Sequence, residues 1–585
     1  MNSPNISRKI LPSFAAGVAH AILMGAAFAP LEFWPACIAA LVPLVWAALC
    51  SATPLGWKSA LAASLGASLF YWYQQQWVCE ISAAGYVPLV LYLSIYPGLF
   101  VLLLSRLRLC FPGLPLSVLV PIVWTGLEWF RGEVVWDGYA WFLIAHPLID
   151  AQALALAGSV VGAYGVGAFV ASFVGIAFDL WQALPFGQTA LGGNKQKLAA
   201  AAAIVLLYAG LTARGFYYGR DAIAEPLVRV GLVQTNIPQS NKIAWSADER
   251  RKSFARFLDL SRQAAARQPA FIIWPETMFP GNFLQPAAER SKDGTSNFRT
   301  LSYSGILQAE QRTMQVPMLI GALGTESLRI EADDLGGHLA WDKRFNSVFL
   351  LKSGEVHPLR YDKIRLTPFG ETMPYISAWP WLQEKLLSLG AEGMSFDLAV
   401  GSTDRIGAFE FPVTTPSPAS KRTQMVRVVT PICFEITESS LCRKLVNRAA
   451  QGRESVLIAN LTNDGWFGSF DPARRQHQLA ARWRSLELGV AVVRAANTGI
   501  SSVTEFGRQD GNRLLVVNGQ SCRVDGVLVE DVALYQGSTF FREVGDLCWL
   551  FPTALAALLI VAFRRQSPNK VQAAPGSIPP QGGLA

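Results

Sequence analysis

VRVVTPICFE (426–435), FIIWPE (271–276) and YDK (361–363) decide how this chain is read. Each stretch lies in or beside an apolar run that reads as a buried strand, and each carries a reactive group: a thiol at Cys433, a carboxylate at Glu276 and an ammonium at Lys363. A thiol that attacks a carbonyl needs a base to take its proton and a cation to stabilise the oxyanion that forms. A Glu, a Lys and a Cys supply those three roles. Singly, each has an ordinary reading. A strand-end carboxylate can be half of a structural ion pair. A lysine among Asp362, Arg365 and Glu371 can be solvated surface, and a strand-end cysteine is commonly inert core. Their joint occurrence in one region points to chemistry.

The surrounding region has the pattern of an α/β sandwich about 300 residues long. From Leu227 onward, LVRVGLVQTN (227–236), AFIIWPE (270–276), VPMLIGALGT (316–325), FNSVFLLK (345–352), VRVVTPICFE (426–435) and SVLIANLTND (455–464) read as buried strands. Between the first two, Ser246 and Glu249 form a capping box. Phe254, Phe257, Leu258 and Leu260 line one face of the helix that follows. A second helix is expected from about Arg474 to Leu488. The stretches 283–300 and 412–422 read as surface insertions. Glu371 follows Lys363 beyond the turn at Pro368 and Gly370, so this loop can fold a second carboxylate back towards the ammonium.

At 585 residues the chain exceeds one hydrophobic core. Its composition, 51% hydrophobic and 16% charged, departs from that of most water-soluble enzymes. The net charge of +8 is scattered, without a basic stripe or a zinc-ligand spacing, so no nucleic-acid partner and no metal are expected. Apolar stretches of roughly spanning length fall near 11–30, 34–50, 56–75, 86–105, 115–130, 153–181, 197–213 and 546–563. They predict about eight membrane helices, the second and fifth short or interrupted by Pro43 and Pro121. The first follows Arg8 and Lys9 and reads as an uncleaved anchor. The expected organisation is therefore a helical membrane domain over 1–213, a hydrophilic domain over 225–540, a last membrane helix at 546–563 and a tail at 564–585.

Lys and Arg gather in alternate loops, at Arg8, Lys9, Lys58, Arg106, Arg108, Lys195, Lys197, Arg564, Arg565 and Lys570, with Arg131 the exception. That asymmetry places both termini in the cytoplasm and residues 214–545 on the opposite face. The stretch GLEWFRGEVVWDGYAWF (126–142) reads as an outer-face loop. It is either an aromatic belt with Glu128 paired to Arg131, or part of a lipid-access site. Of the eight cysteines, Cys37, Cys50, Cys79, Cys110 and Cys548 lie in or beside apolar segments, and a Cys442–Cys522 bridge stays open.

In this order the Glu, Lys and Cys motifs resemble the nitrilase superfamily of carbon–nitrogen hydrolases. Membrane spans on both sides narrow the resemblance to the apolipoprotein N-acyltransferase family. The likeness extends to VQTNIPQS (233–240), PFGETMP (368–374), NLTNDGWFG (460–468), RWRSLELG (482–489) and RAANTGIS (494–501). The resemblance implies an α-β-β-α sandwich in which Glu276 is the general base, Lys363 the oxyanion stabiliser and Cys433 the nucleophile. Glu371 would support the Lys–Glu arrangement, and Glu435 would assist nearby. Phe434 stands where the family often has Tyr, leaving its backbone N–H for the oxyanion hole. A functional Trp follows the family's NIPQS motif, and Trp245 in SNKIAW sits two residues beyond that spacing.

The resemblance further implies transfer of a fatty acyl chain from a phospholipid, through a Cys433 thioester, to the α-amino group of a diacylglyceryl-modified lipoprotein cysteine. The setting would be the periplasmic face of a bacterial inner membrane, without metal, nucleotide or flavin. Two other readings remain. One is a membrane-tethered nitrilase-type amidase that gives the acyl group to water. The other is a transporter with a pseudoenzyme domain, against which stand the intact triad and the lack of repeated broken spans.

Overall fold

The computed structural model describes residues 4–566, apart from 81–82, 184–191, 222–226, 239–245, 291–295, 300, 332–336, 369, 373–380, 382–397, 404–406, 416–421, 451–454, 507–510 and 536. The apolar N-terminal part folds into α1 (Pro4–Ala27), α2 (Pro35–Ala39), α3 (Val42–Leu49), α4 (Trp57–Gln74), α5 (Ala83–Cys110), α6 (Leu116–Glu133), α7 (Gln152–Ala155), α8 (Gly158–Ala183) and α9 (Gly192–Asp221). Every stretch expected to span contains helix. Four segments among the described residues are long and apolar enough to cross a membrane: Lys9–Ala27, Gly85–Cys110, Gly158–Gln182 and Lys195–Tyr218. The stretch near 34–50 is two short helices, with Pro43 in the first turn of α3, where its missing N–H is tolerated.

The 126–142 stretch is not wholly a loop, because α6 runs through Pro121 to Glu133. Glu128 and Arg131 are both buried, and each bonds the backbone of the segment that follows. Glu128 Oε1 accepts the Ile144 N–H at 2.8 Å, and Arg131 donates to the Trp141 carbonyl at 2.9 Å. Leu11, Ile22, Leu65, Leu91, Leu206 and Phe563 point outward and exposed, as they would in a hydrocarbon solvent. The helices pack backbone to backbone where side chains are absent. A Cβ on Gly17 of α1 would lie 2.2 Å from the Ala63 carbonyl oxygen, and one on Gly66 of α4 2.3 Å from that of Phe14.

Two six-stranded sheets follow. The first runs β16 (Gly526–Ala533), β1 (Leu227–Gln234), β2 (Phe271–Ile273), β5 (Met318–Glu326), β8 (Lys343–Lys352) and β9 (Glu355–Asp362). The second runs β10 (Phe409–Thr415), β11 (Arg422–Val429), β12 (Ser455–Thr462), β13 (Ala491–Ala496), β14 (Ser502–Thr504) and β15 (Asn512–Leu514). Alternation along the strands builds both faces of the first sheet. Val228, Val230, Leu232, Phe271, Ile273, Leu319, Val348 and Leu350 share one core with Phe411, Val426, Val428 and Leu457 of the second sheet. Phe271 stacks on Phe411 across that core, with ring centroids 4.3 Å apart. The intervening Ile272, Met318, Ile320, Phe349 and Leu351 face the other way, onto Phe254, Phe257 and Leu307.

Those last residues belong to α10 (Ala247–Ala265) and α11 (Ser302–Met314), the outer layer of the first sheet. The Ser246–Glu249 capping box is formed as expected. On the second sheet lie α12 (Ser439–Ala449) and α13 (Asp471–Leu488), the latter starting three residues before the expected helix. The short α14 (Phe540–Val544) and the apolar α15 (Leu550–Gln566) end the described chain. This is an α-β-β-α sandwich attached to an apolar helical part. The expected insertion at 283–300 holds β3 (Ala287–Arg290) and β4 (Ser296–Arg299), which with β6 (Arg329–Glu331) and β7 (His338–Ala340) form a separate four-stranded sheet. The Pro/Ser-rich stretch at 412–422 is partly ordered pairing instead of plain insertion: β10 and β11 pair antiparallel from Phe409–Val428 to Thr415–Arg422.

Candidate active site

Strand ends bring the three reactive groups together. Glu276 lies just past β2, Lys363 directly follows β9 and Cys433 follows β11. β1 and β2 run parallel in one sheet, β11 and β12 in the other, and a bond from the Asn463 N–H after β12 to Glu276 after β2 brings these ends together across the sandwich. Glu276 and Lys363 are buried, and Cys433 is partly exposed.

Lys363 is held between two carboxylates. Its Nζ lies 2.7 Å from Glu371 Oε2 and 3.3 Å from Glu276 Oε1, with Thr367 Oγ1 also at 3.3 Å. Asn346 Nδ2 donates to both acids, at 2.7 Å to Glu276 Oε1 and 3.2 Å to Glu371 Oε1. Backbone donors complete the shells: Asn463 N–H reaches Glu276 Oε2 at 2.8 Å, and Thr367 N–H reaches Glu371 Oε2 at 2.8 Å. Burial works against the ammonium, but the charges of Glu371 and then Glu276 overcome it and hold Lys363 well above an ordinary lysine. Burial likewise works against the Glu371 anion, and Lys363 reverses that and holds its carboxyl below the usual value.

Cys433 has a φ of 50°, in the left-handed region that a side chain with a Cβ seldom adopts. Its carbonyl is fixed from two directions. His477 Nε2 lies 3.2 Å from it, and Asn460 Nδ2 donates at 3.4 Å. Burial pushes the thiol well up, the charge of Glu276 adds to the rise, and Lys363 opposes it. The Cys433 thiol thus lies within the fields of both Glu276 and Lys363.

Beneath Cys433 lies a buried polar network. Arg494 donates to Asn460 Oδ1 at 2.6 Å and to Asp464 Oδ2 at 2.7 Å, and Thr462 Oγ1 donates to Asp464 Oδ1 at 3.0 Å. Burial disfavours the Asp464 anion, but Arg494 and His477 hold its pKa well below the ordinary value. Burial and the Arg494 charge lower the pKa of His477. His477 Nε2 faces the Cys433 carbonyl, while its Nδ1 lies 3.0 Å from Asp464 Oδ1 and 3.1 Å from Arg494 Nη2.

Glu435 braces the other side. It accepts from the backbone N–H groups of Ile364 (2.7 Å), Arg365 (2.9 Å) and Ile432 (2.7 Å) and from the Tyr361 hydroxyl (2.9 Å). It thereby ties the segment around Lys363 to the segment around Cys433. Burial pushes its carboxyl up to about 7 against those donors. Phe434 is buried and packs into the same cluster as the apolar helices. Trp245 lies outside the described residues. Cys442 and Cys522 are both free thiols, so they are not bridged.

The sequence reading missed Asn346, Asn460, Asp464, His477, Arg494 and Asn497 as parts of the site. The signal was present, because all but Asn346 and His477 lie in the quoted motifs NLTNDGWFG and RAANTGIS. Asn497 links three of these stretches: its amide donates to the Ile237 carbonyl at 2.6 Å and to Asn463 Oδ1 at 3.0 Å, and its oxygen accepts the Ile237 N–H at 2.8 Å. Among the described residues no group of three or more His, Cys, Asp or Glu side chains could hold a metal ion.

A sandwich carrying a Cys beside a Lys held by two Glu defines the class. Residues 229–526 match the family model for carbon-nitrogen hydrolases, and the chain belongs to that family. Residues 20–176 match the model described as the apolipoprotein N-acyltransferase N-terminal domain. Curated relatives named apolipoprotein N-acyltransferase resemble it over most of its length. The one from Geobacter metallireducens is 27% identical over 526 residues, covering 88% of this chain and 87% of its own. The one from Haemophilus ducreyi is 26% identical over 584 residues, covering 97% and 99%. That from Vibrio cholerae is 28% identical over 536 residues, covering 86% and 89%.

Proposed function

We propose that this chain is a phospholipid:apolipoprotein N-acyltransferase working by a ping-pong route through Cys433. The observation that carries the reading is the placement of Lys363 between Glu371 and Glu276, with the charges of both Lys363 and Glu276 acting on the Cys433 thiol. Glu276 takes the thiol proton as sulfur attacks the ester carbonyl of a phospholipid, and the oxyanion faces the Lys363 ammonium. The tetrahedral intermediate collapses to a Cys433 acyl thioester, and Glu276 returns the proton to the departing lysophospholipid alkoxide. The amine of a diacylglyceryl-cysteine then attacks the thioester, Glu276 takes the amine proton, and the thiol leaves with it as an amide forms. A fixed donor such as Lys363 lowers the barrier by about 3–4 kcal/mol. The apolar helices supply the lipid phase from which both substrates come, with residues 214–545 on the periplasmic side and both termini in the cytoplasm.

The test is the intermediate. With phospholipid present and lipopeptide absent, intact mass should rise by one acyl chain, neutral hydroxylamine should remove it, and added diacylated lipopeptide should discharge it into an amide-linked product. Cys433→Ala should show neither adduct nor product. Cys433→Ser should be nearly inactive, because a hydroxyl is far harder to deprotonate than a thiol. An adduct that persists in Cys433→Ala refutes the mechanism. Loss of the acyl chain to water at the same rate with and without lipopeptide would favour the amidase reading.

A further inference from the structure

Helix α8 is broken at Gly162, whose φ of 70° and ψ of 178° interrupt the helical backbone. Such a break frees N–H groups that need other acceptors away from water. The Ala163 N–H finds its acceptor outside the membrane helices, in Glu487 Oε1 of α13, at 2.8 Å. Glu487 is only 1% exposed. Its Oε2 accepts from Ser439 Oγ at 3.0 Å and pairs with Arg484 Nη2 at 2.8 Å. Ser439 opens α12, and Arg484 Nη1 reaches the carbonyl of Thr437 at 3.4 Å. Thr437 closes the turn that Cys433 begins.

The joint is tight on its other sides. Thr539 donates to the backbone carbonyl of Glu487, and a Cβ on Gly162 would lie 2.4 Å from the Phe541 ring. Two further residues of RWRSLELG meet the segment before α8: Trp483 Nε1 donates to the His146 carbonyl at 3.1 Å, and Arg482 pairs with Asp150 at 2.6 Å. Helix α13 thus holds the Cys433 carbonyl through His477 and the break in α8 through Glu487, two positions ~15 Å apart along a helix. An apolar side chain could fill this space without the desolvation a buried carboxylate entails. What only the carboxylate offers is directed bonds to two other elements at once, α8 through Ala163 and α12 through Ser439, beside its own Arg484.

We propose that Glu487 is a positioning residue that joins the break in α8 to the turn carrying Cys433 and so fixes the height of the thiol over the membrane part, where a lipid ester must meet it. This rests on the acyl-transfer reading of the same site. Two variants test it from opposite sides of the bond. Glu487→Ala removes the acceptor. Ala163→Pro removes the donor, replacing the N–H with a ring carbon at the first turn of a helix segment, where a proline backbone is tolerated.

Formation of the acyl-enzyme is followed by mass with two acyl donors: vesicles of phosphatidylethanolamine and phosphatidylglycerol, and the water-soluble ester p-nitrophenyl butyrate. Both variants should acylate from vesicles roughly tenfold more slowly or worse, as expected for losing a buried charge-assisted bond. Acylation by the soluble ester should stay within about twofold of wild type, which also reports an intact fold. The double variant should be no slower than Glu487→Ala, which already removes the acceptor of the Ala163 N–H. Equal slowing on both esters, or no slowing on vesicles, overturns the inference while leaving the acyl-transfer reading intact. A wild-type protein that takes no acyl chain from vesicles overturns that reading, and this inference with it.

Discussion

Glu371→Gln isolates the electrostatics of the Lys363 clamp with little change of shape. Glu371 Oε2 receives both the Lys363 ammonium at 2.7 Å and the Thr367 N–H at 2.8 Å, while Oε1 receives Asn346 Nδ2 at 3.2 Å. Every neighbour is a donor. An amide in either orientation therefore turns an NH2 group towards another N–H, and the charge is lost as well. Removing one partner of a buried ion pair costs ~3–5 kcal/mol. Glu276 still lies 3.3 Å from the ammonium, so the lower end, about 3 kcal/mol, is expected for the fold. On the chemical step, losing a fixed oxyanion donor outright slows enzymes ~10²–10³-fold. Lys363 remains with one anchor, so a fall of about 10²-fold in acyl-enzyme formation is expected.

The pH profile gives the sharper readout. Glu371 is the largest influence raising the Lys363 pKa against burial. Without it the ammonium loses its proton at lower pH, and the alkaline limb of the rate profile should move towards neutrality. The assay is the rate of thioester formation from phospholipid, by quenched-flow mass analysis across neutral and alkaline pH. Wild-type rates, or a slower enzyme with an unmoved alkaline limb, would refute the assignment of Glu371 as the electrostatic anchor of Lys363.

Asp464→Asn places an amide against Arg494 and removes a carboxylate whose pKa is depressed in the fold, so its stabilisation is present above the ordinary value of 3.8 and lost as pH falls below it. The variant should unfold ~3–5 kcal/mol more easily at pH 7 and lose stability less steeply than wild type on acidification, as chemical denaturation at several pH values will report. A reporter active only outside the cytoplasm, fused after Gly219, should work, and the same reporter after Arg565 should not. The reverse pattern would overturn both the span count and the orientation.

That Glu276 and Cys433 would sit at strand ends was legible because each follows a run whose alternation or burial is written in side-chain chemistry: Phe271–Ile273 before Glu276, and Val426–Val429 before Cys433. Glu371 was legible through the turn that precedes it. What escaped were residues whose role depends on contacts between distant segments. Asn346 sits inside a strand that reads as plain core, yet it joins two carboxylates that follow other elements. His477 is one polar residue among many on α13, and only the tertiary fold brings it to the Cys433 carbonyl. The 126–142 stretch was misjudged for a related reason. It was read as an outer-face loop, whereas it is helical as far as Glu133, with Glu128 and Arg131 buried against backbone groups. No local pattern distinguishes those cases.

The raised Cys433 thiol has a consequence for the lifetime of the protein. Oxidants and alkylating agents attack thiolates, so a sulfur that keeps its proton until an ester carbonyl arrives is spared between turnovers. Cys442 and Cys522 are free as well, with thiols that burial also pushes up. In an oxidising compartment such a site ages slowly, and it does so without a reductant to restore it. Burial above all, with the charge of Glu276 beside it, makes the resting thiol a poor nucleophile and thereby also a durable one.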